Sequence, residues 1–448
     1  MKPITYIFVI FFSAAIYVWL LYFVPRTDFI SLLTGYSLIS IGYLWLIKQL
    51  TYFQNLSSNK LYIFIGAAIL FRLLAVFALP ELSDDYFRFI WDGHLLVHGV
   101  NPFQALPTEI WADQEMAQSL GLTDNLFTGL NSPDYFTIYP PVNQLIFFLA
   151  AWLSPDSIYG AVLIMKSFIF LAELGSLFLI WRLLEVWELP LSRWGIYAFN
   201  PLVIIELCGN LHFEAFMIYF LLLFVWLAYQ KKWVAATLSF ALSVASKLLP
   251  IMLGPFLIKR LGWGRAIGFG ALVALWLVLM FIPILDTEMI SHMGESLELY
   301  FQRFEFNASV YYLLRWIGYQ WKGYNMIATI GKLLPLLVIG GIGLVAIMEK
   351  KITWPQFMKV SMWAFSIYLL LASIVHPWYL TTLLMFSLFT SYRYVLVWTL
   401  LVVLSYAAYT SDTYYEQLGL VALEYLGVAA YFIWEMALSS SSSILRKL

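Results

Sequence analysis

The chain has 448 residues, of which 62% are hydrophobic and 11% charged, with a net charge of -1. A mean hydropathy of +0.82 excludes a water-soluble globule and places the sequence among polytopic membrane proteins. The apolar runs are of helical length and lack the alternating polarity of barrel strands, so the expected fold class is all-α.

The first apolar run starts after Lys2 and continues to about Val24. It is longer than a signal-peptide core and is expected to be a retained first helix. Further spans are expected at 29–47, 61–79, 158–181, 194–208, 211–230, 233–249, 264–283, 326–347, 354–374, 378–392, 394–410 and 418–437. With a short returning helix at 251–258, this predicts about 12–14 transmembrane helices. The apolar stretches 138–153 and 308–320 disturb the charge pattern if counted as crossings, and are expected as helices packed or re-entrant on the outer side.

Lys and Arg collect at alternate ends of these spans, among them Lys48, Arg182, Lys231, Lys232, Lys259, Arg260, Lys350, Lys351 and Arg393. The positive-inside rule then puts both termini in the cytoplasm and the two long polar connections, 80–137 and 284–306, on the outer side. All five histidines, His94, His98, His212, His292 and His376, fall at outer ends or in outer loops under this scheme. The whole chain reads as one transmembrane catalytic domain whose two outer connections form the substrate-facing surface. The single cysteine, Cys208, leaves no disulfide or zinc site.

The densest charge lies in Ser83-Asp84-Asp85-Tyr86-Phe87-Arg88-Phe89-Ile90-Trp91-Asp92-Gly93. A helix starting after Pro80 would have Ser83 as its N-cap and Asp84 and Asp85 in its first turn, offsetting the helix dipole. Arg88 stands four residues from both Asp84 and Asp92, so an ion-pair ladder on one face accounts for part of the pattern. The functional reading is that carboxylates where a helix leaves the bilayer suit a substrate with a membrane-held tail, one of them acting as general base. The pair could also bind a divalent cation, but two carboxylates alone do not establish a site. No cofactor is assigned.

Asn210 is expected to cap a helix starting near Leu211, an end that favours phosphate, with His212 and Glu214 at the same mouth. Lys247 needs a counter-charge, either a lipid phosphate or Glu206 or Glu214. Arg303 offers fork geometry for phosphate, against a pair with Glu305. Lys166 and Glu173, about 10 Å apart along one helix, should each meet a polar group on a neighbouring helix, as should Arg72.

The run from Asp84 to Phe103, with Trp91-Asp92-Gly93 and Gly99-x-Asn101-Pro102-Phe103, resembles the first-loop signature of GT-C membrane glycosyltransferases. It is most similar to that of bacterial polyprenyl-phosphate-mannose-dependent mannosyltransferases. Tyr139-Pro140-Pro141, Asn200-Pro201, Gly209-Asn210-x-His212-x-Glu214, Lys247-x-x-Pro250, Phe304-x-Phe306-Asn307 and His376-Pro377-Trp378-Tyr379 resemble the later motifs. The resemblance implies transfer of one sugar, mannose, from a polyprenyl-phosphate carrier to a glycan, lipid or protein acceptor on the extracytoplasmic face of the bacterial cytoplasmic membrane, with inversion. It implies an acidic residue of the first outer loop as base, by position Asp84 with Asp85 orienting it or the acceptor, the assignment between these two neighbours staying open, and Arg88, Trp91, Asp92, Asn210, His212, Glu214, Lys247, Arg303 and His376 as substrate contacts. A transporter or flippase of lipid-linked sugars, or a polymerase or ligase of diphosphate-linked glycans, is the alternative. A transporter would show internal repeats and its polar motifs near the bilayer midplane, whereas here no repeat is visible and the distinctive motifs gather at one side. Nucleic acid is not an expected partner.

Overall fold

The structure is a computed structural model, and it describes residues 3–52, 58–410 and 414–445. The longer helices, in chain order, are α1 Pro3–Phe23, α2 Phe29–Tyr52, α3 Ser58–Val76, α4 Asp85–Val97, α5 Pro141–Leu153 and α6 Ile158–Val186. There follow α7 Glu214–Tyr229, α8 Trp233–Ser246, α9 Trp263–Phe281, α10 Met289–Arg303 and α11 Val310–Lys322. The last are α12 Ile327–Met348, α13 Trp354–Leu371, α14 Tyr379–Ser387, α15 Tyr394–Leu401 and α16 Leu418–Leu445. Among the described residues the sole β feature is an isolated bridge between Phe306 and Ile374.

Local chemistry sets the boundaries. Pro25 follows α1, and the Asp28 carboxylate accepts the Ser31 N–H at 3.1 Å to start α2. Pro141 occupies the first turn of α5, where a missing N–H costs nothing. Gly323, with φ +78°, closes α11 in the left-handed conformation that only glycine adopts without strain.

Among the described residues six helices are long and apolar enough to cross a membrane, or seven if the bent pair Val203–Gly209 and Glu214–Tyr229 is one span. An all-α polytopic membrane protein is the result, as the composition requires. The count by length falls below the 12–14 expected because several apolar runs are interrupted. The expected span 194–208 divides at Asn200-Pro201 into a short helix, Trp194–Ala198, and a π-helical turn, Val203–Gly209. Asn200 Oδ1 accepts the N–H of Leu202 at 3.0 Å and Val203 at 3.4 Å, restarting the chain where Pro201 cannot donate. Leu61–Val76, Trp233–Ser246 and Tyr394–Tyr409 are shorter apolar helices. The polar connection 284–306 is itself largely helical, as α10.

The residues divide into two compact units: 72–180 with 205–303, and 1–71 with 181–204 and 304–448. In the first, α4 lies against α5 so closely that a Cβ on Gly93 would sit 2.3 Å from the Phe147 carbonyl oxygen. That is why glycine stands there. Phe89 stacks on Phe147 at 4.6 Å, and Phe213 meets both edge-on. Arg72 pairs with Glu173 at 3.0 Å with both side chains fully buried, and Lys166 donates to the carbonyls of Ala75 and Ala78 at the end of α3. Each charge expected to be bracketed across helices has its partner, which a membrane interior demands.

In the second unit, Asn200 Nδ2 donates to Tyr43 and Thr399, while Tyr43 donates to the Ile196 carbonyl at 2.8 Å. Trp398 Nε1 and Asn307 Nδ2 both donate to Glu424 Oε1, at 2.8 and 3.2 Å. Polar side chains here join helices that gain nothing from hydrophobic association in lipid.

Candidate functional site

Helix α4 begins one residue later than the sequence predicts. Asp85 is its first residue and Asp84 its N-cap, whose side chain makes no capping bond. Ser83 Oγ accepts the Asp85 N–H at 3.3 Å instead of capping deeper in the turn. Asp85 is half-buried, and its Oδ1 accepts Asn131 Nδ2 at 2.8 Å; Ser132 Oγ in turn donates to Asn131 Oδ1 at 2.9 Å. Burial pushes the Asp85 carboxyl above its ordinary range, with the Asn131 bond opposing. The Asp84 and Glu214 charges raise it further, and Lys247 lowers it.

Arg88 keeps its ion pair with Asp92, Nε to Oδ1 at 2.8 Å, and donates through Nη1 to the carbonyls of Tyr135 at 2.8 Å and Ser132 at 3.4 Å. Asp92 Oδ2 accepts Thr137 Oγ1 at 2.5 Å and Gln144 Nε2 at 2.9 Å. Trp91 is fully buried beside Trp111 and Phe127. Arg88, Trp91 and Asp92, expected from the sequence as substrate contacts, all meet protein groups. The Arg88–Asp92 pair fastens the segment 131–137 to α4 through Ser132, Tyr135 and Thr137, and that fastening carries Asn131 to Asp85.

Asn210 is likewise not a helix cap. Helix α7 starts at Glu214, after Leu211 takes a positive φ of 63° that interrupts the chain. Asn210 Oδ1 instead accepts the Leu82 N–H at 3.1 Å and its Nδ2 donates to Glu206 Oε2 at 3.2 Å. It thereby holds the residues just ahead of Asp84. His212 Nδ1 donates to the Glu206 carbonyl at 2.8 Å and lies 3.5 Å from its carboxylate. Glu214 pairs with Lys247, the protein partner weighed against phosphate from the sequence; the lysine side chain is 28% exposed and the glutamate 4%. Lys247 follows α8 in extended backbone, with φ -160°.

Asp84, Asp85, Asn210, His212, Glu214 and Lys247 thus meet within one unit: the Leu82–Asn210 bond joins the loop to the α7 entry, and Asp85 feels the charges of both Glu214 and Lys247. The two long connections also meet there. Asn101 Nδ2 donates to the Ile284 carbonyl at 2.8 Å, Gln104 Nε2 to Asp286 at 2.5 Å, and His292 stacks on Phe136 at 3.8 Å while its Nδ1 bonds the Phe103 carbonyl. The Asn101–Phe103 motif is a fastening for α10.

Arg303 ends α10, and its side chain lies outside the described residues. His376 belongs to the other unit, where it stacks on Trp378 at 4.3 Å and lies 4.8 Å from the Phe306 ring. Sequence reasoning passed over Asn131, Thr137 and Gln144. The Asn131-Ser132-Pro133 turn signal marks a loop, but nothing local marks its partner. Among the described residues no three His, Cys, Asp or Glu side chains group as metal ligands.

No curated protein matches the chain. A family model described as alpha-(1->6)-mannopyranosyltransferase, N-terminal domain, matches residues 14–262, more than half of the chain. That stretch contains the whole cluster from Asp84 to Lys247. The chain belongs to the MptA_B family of alpha-(1->6)-mannopyranosyltransferases.

Proposed function

We propose that the protein transfers a mannosyl residue from a polyprenyl-phosphate carrier to a hydroxyl acceptor on the extracytoplasmic face of the membrane. The observation that carries this reading is the paired carboxylates Asp84 and Asp85 at the start of α4, within electrostatic range of Lys247. The acceptor oxygen bonds to the anomeric carbon as the bond from that carbon to the phosphate oxygen breaks. The electron pair leaves with the polyprenyl phosphate, and the acceptor proton passes to a carboxylate. Inversion to an α-(1→6) bond requires a β-linked donor.

Asp84 is the proton acceptor in this scheme, with Asp85 held by Asn131 to orient the acceptor hydroxyl. Lys247, more exposed than its partner Glu214, is the group offered to a donor phosphate. A divalent cation shared by Asp84 and Asp85 would screen the leaving phosphate, and chelation of the purified protein tests whether turnover depends on one.

The decisive experiment uses protein in lipid nanodiscs with synthetic polyprenyl-phosphate mannose. Asp84→Asn abolishes transfer while donor binding persists; normal turnover refutes its role as base. Lys247→Ala weakens donor binding several-fold, and unchanged affinity removes the lysine from the donor site. Lipid-sugar translocation without a mannosylated product would replace the reading with transport.

A further inference from the structure

Helix α11 carries its apolar side outward. Leu313, Trp316, Ile317 and Trp321 recur at helical spacing and are 66%, 63%, 51% and 71% exposed. The charged and small residues take the opposite side. Arg315 pairs with Glu305, Tyr311 is fully buried and donates to Asn325 at 3.2 Å, and a Cβ on Gly318 would meet Met326 at 3.4 Å. A soluble protein buries the first kind of face and exposes the second.

The neighbouring helix shows what covers this stripe. Helix α12 has the length and composition of a membrane span and starts four residues after Gly323. Its own Leu333, Leu336, Leu337 and Ile339 are exposed, as a lipid-facing surface would be. Tyr311 of α11 packs with Ile330 and Leu334, within the first ~10 Å of α12 at 1.5 Å per residue. That is the depth at which hydrocarbon gives way to headgroups. Tryptophan and tyrosine concentrate at this boundary, and α11 supplies Trp316, Tyr319 and Trp321, with the Lys322 ammonium 4.5 Å from the Trp321 ring.

We propose that α11 is an interfacial helix seated on the lipid bilayer, its Leu313-Trp316-Ile317-Trp321 stripe sunk among lipids where α12 enters the membrane. Through the Arg315–Glu305 pair the seat also fixes the Phe306 segment, whose ring lies 4.8 Å from His376.

Cys208 is buried, so single cysteines introduced on α11 accept a label selectively. Trp316→Cys, Ile317→Cys and Trp321→Cys would each carry an environment-sensitive fluorophore in nanodiscs of phosphatidylcholine and phosphatidylglycerol holding one protein copy. Quenching by a nitroxide near the top of the acyl chain should exceed quenching by aqueous iodide several-fold at all three sites. At Gln118→Cys, on an exposed short helix of the 80–137 connection, iodide should dominate. Iodide quenching on α11 without nitroxide quenching would place the stripe in water. Protection from both would mean that protein covers it. Either result overturns the proposal, and three separate positions guard against a single misfolded variant.

Discussion

Removing Asn131 separates a tuned carboxylate from a merely structural loop. The amide donates at 2.8 Å to Asp85, a bond that favours the ionised form and opposes the upward push of burial. In Asn131→Ala the carboxyl holds its proton more tightly, so the acid limb of the rate profile moves to higher pH. Hydrogen bonds to charged groups contribute about 1.5–3 kcal/mol, and partial exposure of Asp85 argues for the lower end. About 1.4 kcal/mol is a factor of ten in rate at a pH on the limb, with no change on the plateau where the pair is already ionised. The assay is initial rates in nanodiscs across the pH range, for wild type, Asn131→Ala and Asn131→Asp. The Asp variant adds a like charge and should move the limb at least as far. Equal loss at every pH would mean that Asn131 only shapes the loop, and an unmoved limb would mean that the ionisation of Asp85, which positions the acceptor, does not govern turnover.

Two other predictions concern stability. Asp92→Ala strands the buried Arg88 guanidinium and should lower unfolding stability by about 3–5 kcal/mol, while Arg88→Met with Asp92→Leu should recover much of that; a loss under about 1 kcal/mol would contradict a buried, saturated pair. Glu416, which accepts the Asn307 N–H, is pushed by burial from 4.5 to about 7. Because the folded state holds this proton more tightly than the unfolded chain, stability should fall by about 1–3 kcal/mol as pH rises through that interval and stay flat above it. Glu416→Gln should abolish the slope in unfolding midpoints; a wild type with no slope there would mean that the carboxyl is solvated.

Much of the helical plan was legible in the chain. The runs expected at 29–47, 158–181, 264–283 and 326–347 correspond to α2, α6, α9 and α12 because an apolar run of spanning length has only one way to satisfy its backbone in lipid. The cluster at Asp84 and Asp85 was legible too, since a lone concentration of charge in an apolar sequence needs a reason. Helix starts were less so. Asn210 reads locally as a cap, yet Leu211 interrupts the chain and the Asn210 amide reaches 128 residues back to Leu82.

Composition and periodicity by themselves determined the class of the protein and the course of its longer helices, and marked the segment where charge gathers. Only the tertiary structure decided which groups the polar side chains of that segment meet. Arg88 and Asp92 look like site residues along the sequence, but their partners, Thr137, Gln144 and the carbonyls of Ser132 and Tyr135, come from another loop. Helix formation is settled within a few turns by local bonding and desolvation, whereas a buried charge is satisfied by whichever groups the packing brings to it, however distant in the chain.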